Sequence, residues 1–93
     1  MEDKVTKQKI EKYREITSNA LKIARGAIVK GKESESSEII GMVSSYLLDS
    51  KYFEEKEQFV NAFAAINYAH GWLDAGARLG IFDVKNDKLF TVK

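Results

Sequence analysis

The chain has 93 residues and a mass of 10.5 kDa, room for one hydrophobic core and not two. Its 15 Lys and Arg against 14 Asp and Glu leave a formal net charge of +1, so bulk electrostatics give no drive toward nucleic acid or an anionic membrane. The absence of Cys removes disulfides, thiolate nucleophiles, iron–sulfur clusters and Cys-bearing zinc sites, and a single His removes zinc motifs that need two.

The first predicted element runs from about residue 3 to residue 30, in a chain that contains no Pro to interrupt it. Ile10, Tyr13, Ile16, Thr17, Ala20, Ile23, Ala24 and Ala27 recur at threes and fours and form one apolar stripe. Asp3 is the expected N-cap and Gly31 the expected C-cap. Lys4, Lys7, Arg14, Lys22 and Arg25 fall on the solvent side, with Glu11 and Glu15 among them. That mixture dilutes the field a phosphate backbone would need, so nucleic acid is not an expected partner and RNA along this face stands as an alternative.

A Ser-rich connection follows, and the second helix is predicted at about 35–55, with Ile39, Ile40, Val43, Tyr46 and Leu47 on one side. Asp49-Ser50 offers one end for it. Tyr52 and Phe53 favour continuation to Glu55 and a tight turn near Lys56. The third helix, at about 57–79, is apolar over the widest arc. Phe59, Ala62, Phe63, Ile66, Ala69, His70, Leu73 and Ala77 share a core stripe, and Tyr68, Trp72, Gly76 and Leu79 extend it round one flank. Such a helix is expected at the centre of the fold, covered on more than one side. Gly71 and Gly76 each cost a helix up to about 1 kcal/mol relative to Ala, which predicts close approach of another backbone at both, packing inside the chain being favoured over a second subunit. Gly80 is the expected end of the helix.

Residues 81–93 read as a short extension. Ile81 to Val84 and Leu89 to Val92 flank Lys85-Asn86-Asp87-Lys88, the pattern of a β-hairpin expected to dock on the Trp72 flank. Charge is segregated along the chain: residues 1–32 hold nine basic and four acidic side chains, residues 33–60 two and seven. Opposite signs favour antiparallel contact between the first two helices. The whole reads as a single domain, 1–93: an all-α, antiparallel, up-and-down three-helix bundle with a C-terminal extension.

Ser45-Tyr46-Leu47-Leu48-Asp49-Ser50-Lys51-Tyr52-Phe53, together with Tyr68-Ala69-His70-Gly71-Trp72-Leu73-Asp74-Ala75-Gly76 and the following Ala77 to Phe82, resembles the archaeal domain-of-unknown-function family numbered 357. The family pattern tends to place Gly-Asp where Lys56-Glu57 stand. The resemblance implies a three-helix bundle and an archaeal, cytoplasmic protein, and brings no activity with it.

Two surfaces carry the functional expectations. His70, Asp74 and Arg78 follow at i, i+4 and could present a base, an acid and an anion clamp for a small ligand or substrate. The ordinary reading is a half-buried His oriented by Asp74, because no second converging element is visible. No metal or cofactor is expected, since one His and one Asp make an incomplete ligand set. The Tyr68, Trp72, Gly76 and Leu79 flank is the candidate interface. It favours a non-enzymatic interaction module whose partner is a protein, a second copy of the chain included. The longest uncharged run, Gln58 to Leu73, holds 16 residues with Asn61, Asn67 and His70 among them, too short and too polar to cross a bilayer.

Overall fold

The computed structural model describes residues 4–85 and residue 90. Three helices follow one another: α1 (Lys7–Arg25), α2 (Glu33–Glu55) and α3 (Phe59–Arg78). The fold is all-α, and α3 is the helix on which both others pack. α2 lies along it for most of its length, while α1 and α2 touch each other least.

α1 is shorter than its periodicity predicts at both ends. Thr6 is the N-cap, its hydroxyl accepting from the Lys9 N–H at 3.1 Å; Asp3 lies outside the described residues. The helix stops at Gly26, whose N–H bonds to Ile23. Ile28 and Val29, β-branched and disposed to extended backbone, then pair with the segment that follows α3. The Val29 N–H donates to the Ile81 carbonyl at 3.0 Å and the Asp83 N–H to the Ala27 carbonyl at 2.7 Å, around an isolated antiparallel bridge between Ile28 and Phe82. Gly31, the expected C-cap, instead turns the chain into α2 at φ 92°, and its N–H is held by the Glu33 carboxylate at 3.1 and 3.2 Å.

α2 runs through Asp49-Ser50 without a break. The turn into α3 is made by Glu57 at φ 58°, a left-handed conformation that a side chain adopts at some cost. α3 ends in a Schellman motif: the Gly80 N–H donates to Ala77 and the Ile81 N–H to Gly76, at 3.3 and 2.8 Å, with Gly80 at φ 75°. The hairpin turn and the second strand expected at residues 86–92 lie outside the described residues, apart from Phe90, which is buried.

The core divides into two clusters along the helices. The smaller gathers Ile10, Ala62 and Ile66 with Phe53, Phe59 and Phe63 against them. The larger joins Ala20, Leu21, Ala24, Ile39, Val43, Ala69 and Leu73 to Ile81, Phe82 and Phe90. α3 contributes Ile66 and Leu73 to these clusters, and its other buried residues, Ala62, Ala65, Ala69 and Gly76, are small enough for backbones to approach. The chain after α3 docks at Gly76 and not on the Trp72 flank. A Cβ at Gly76 would stand 2.5 Å from the Phe82 ring and 3.3 Å from Ile39 Cδ1.

Gly76→Ala is therefore expected to destabilise the fold by about 1–3 kcal/mol through overpacking against a fully buried ring. Gly71→Ala, whose Cβ would meet nothing within 4 Å, should stabilise the monomer by up to about 1 kcal/mol. Urea unfolding in dilute solution checks both signs.

Candidate functional site

A groove of about 390 Å³ lies between α1 and α3. Tyr13, Ile16 and Ile66 give it apolar walls, and Thr17, Asn67, His70 and Asp74 supply its polar groups. His70 Nδ1 is 3.0 Å from Thr17 Oγ1, and His70 Nε2 is 3.8 Å from Asp74 Oδ1. A proton on Nε2, facing the carboxylate, leaves Nδ1 to accept from the Thr17 hydroxyl; this assignment suits both neighbours. Acid, imidazole and hydroxyl stand in the order of a hydrolase triad. The Thr17 side chain, however, is only 1% exposed, so its hydroxyl is closed to a substrate carbonyl and the trio ties α1 to α3. Arg78 is exposed and does not line the groove. The three-residue ridge expected from the sequence is a pair in the structure, joined by Thr17. Among the described residues no three His, Asp or Glu come together to hold a metal, and no helix is long and apolar enough to cross a membrane.

A second polar contact joins α1 to α2, and the sequence reading misplaced its central residue. Arg14, expected on the solvent side, is mostly buried. Its Nε donates to Ser50 Oγ at 3.0 Å and its Nη2 lies 2.6 Å from Glu54 Oε1, an ion pair without hydrogen-bond alignment. Ser50 in turn donates to the Leu47 carbonyl at 2.7 Å. The signal was present: Ile10, Arg14, Thr17, Leu21 and Ala24 follow steps of four and three, so Arg14 sits in the middle of the buried stripe. Arg25 also reaches α2, at Ser44 Oγ, 3.4 Å away. The basic face of α1 is thus partly engaged inside the chain.

The outward face of α3 has the opposite character. Val60, Ala64, Tyr68, Gly71, Ala75 and Leu79 follow at threes and fours, with Trp72 on the edge toward α2. Val60, Tyr68 and Leu79 are 70%, 63% and 73% exposed. Arg78 is the sole charge among the exposed residues of this helix, and Asn61 and Asn67 are its polar groups. Tyr68 is propped by Tyr46 of α2, the two rings stacked with centroids 5.5 Å apart. Tyr68 and Trp72 wall a hollow of about 330 Å³ over Gly71 and Ala75. Gly76, assigned to this flank from sequence, is buried beneath Phe82 and takes no part in it. Gly71, expected to pack inside the chain, has nothing across from it.

Residues 12–82 match the family described as protein of unknown function (DUF357), and the chain belongs to that family. No curated protein and no solved structure matches it.

Truncating Glu54 to Ala leaves the Arg14 guanidinium without its counter-charge in a largely dry position. The expected loss is about 1–3 kcal/mol, read as a lower urea midpoint, against no measurable change for Lys51→Ala on the exposed side of the same helix.

Proposed function

We propose that this member of the DUF357 family is a non-enzymatic interaction module that self-associates through the outward face of α3. One observation carries the reading: a helix at the centre of the fold presents Val60, Tyr68 and Leu79 well exposed, with Trp72 beside them and a single charge at its end. An exposed helix face is ordinarily charged, and contiguous apolar surface on a small chain marks a place where something docks. The aromatic pair Tyr68 and Trp72 is the residue chemistry that interface centres favour.

Trp72 is the sole Trp, so its fluorescence reports on this face directly. Sedimentation from low micromolar to sub-millimolar concentration should show mass rising from 10.5 kDa toward twice that value, with a blue shift of Trp72 emission over the same range. Trp72→Lys and Leu79→Lys should each hold the protein as a monomer. Monomer throughout, with no effect of Trp72→Lys, overturns the reading.

The α1–α3 groove supports a second reading, a small-ligand site. His70 and Asp74 offer hydrogen bonds beside the apolar walls of Tyr13 and Ile66. A metabolite thermal-shift screen on wild type and Asp74→Asn tests it: a compound that raises the melting temperature of wild type alone establishes the site. RNA along α1 draws less support, because Arg14 is engaged with Glu54.

A further inference from the structure

We infer that the partner of the α3 face is the same face of a second copy, with the two α3 helices parallel about a two-fold axis that runs along them. This rests on the self-association reading and adds the orientation. The argument is one of charge. α1 and α2 flank the outward face of α3 on opposite sides: α1 across the groove that holds Asn67 and Asp74, α2 beside Tyr68 and Ala64. A two-fold axis parallel to α3 sets the α2 flank of each copy against the α1 flank of the other. A two-fold axis across α3, which makes the helices antiparallel, sets α2 against α2 and α1 against α1.

The outermost charges of the two flanks differ in sign, at matching heights, while Asp74 on the α1 side faces His70 in the groove. On the α2 flank, Asp49 lies beside Ala64. Glu38 shares its face of α2, toward the end where Ile39 meets Gly76. On the α1 flank, Tyr13 packs edge-on to Phe63, Lys12 leans over the Tyr13 ring and Lys9 over the Phe63 ring. Lys9 and Lys12 therefore stand level with Asp49, and Arg78 of α3 stands level with Glu38. The parallel dimer brings Asp49 of one copy to Lys9 and Lys12 of the other, and Glu38 to Arg78, each twice by symmetry. The antiparallel dimer opposes Arg78 to the lysines and Asp49 to Glu38, like charge against like.

The apolar strip between the flanks accommodates this pairing. Ala64, Gly71 and Ala75 run down its middle and let the helices approach, while Tyr68, Trp72 and Leu79 form a ridge toward α2. In the parallel arrangement each ridge lies over the small residues of the other copy, and the open space at Gly71 is filled from outside the chain. α3 spans about 30 Å at 1.5 Å per residue. A single helix face of that length gives an interface at the small end of the range for specific association.

The protein contains no Cys, which makes single-cysteine cross-linking clean. Under mild oxidation Ala64→Cys and Ala75→Cys should each link to their own kind. An equimolar mixture of Ala64→Cys and Leu79→Cys should give no preferred mixed dimer. Ala64→Cys failing alone but linking to Leu79→Cys identifies the antiparallel pair and overturns this inference while the self-association reading stands. Absence of any dimer in sedimentation removes both. Independently, Lys12→Glu and Asp49→Lys should each weaken dimerisation about tenfold, two pairs being lost at once, and the double variant should recover most of the affinity. A double variant no better than the single ones overturns the charge pairing.

Discussion

Everything in this fold follows from how closely α3 must be approached by its neighbours. α3 meets α2 and α1 largely through Ala62, Ala65, Ala69 and Gly76, side chains that contribute little apolar area of their own, with Ile66 and Leu73 among them. Much of the remaining area comes from outside the helix: Ile10 and Phe53 at one end, Val43, Phe82 and Phe90 at the other. A central helix built of small residues lets its neighbours close on it with few voids. Three large residues of the helix, Val60, Tyr68 and Trp72, stand outward on its uncovered side. Core and surface of α3 are thus two outcomes of one sequence pattern.

Between the two apolar clusters lies a polar layer. Thr17 and His70 join α1 to α3, and Arg14, Ser50 and Glu54 join α1 to α2. Neither contact adds much net stability over apolar residues of the same shape. Each fails badly if the helices slide by one residue, since Thr17, Ser50 and Arg14 would then face apolar neighbours without partners. The layer fixes the register of α1, the helix least engaged with the other two.

The three helices, the centrality of α3 and the end of α2 at Glu55 could be read from periodicity, because each depends on local spacing. The ends of α1 could not. Its C-terminal stretch leaves the helix to pair with residues some fifty positions away, and no local pattern signals that. Arg14 was misplaced because a charged residue in a stripe of small and apolar ones is taken for solvent-facing until its partner is known. Gly71 and Gly76 look alike in sequence and differ entirely in space: one lies under a ring and the other under nothing. Of the candidate site, His70 and Asp74 were legible as an i, i+4 pair, while Thr17, the third member, entered only with the packing of α1 on α3.

The bridge between Ile28 and Phe82 ties the chain after α3 to the link between α1 and α2. It joins positions far apart in sequence, so the entropy of closing that long loop falls due before the contact returns anything. On that ground it is expected to form late in folding and to open early in native-state fluctuations. When the clasp opens, the helices lose none of their internal hydrogen bonds, but Phe82 leaves Gly76 and the end of the larger cluster meets water. Residues 81–83 thus act as a stopper at one end of the larger cluster.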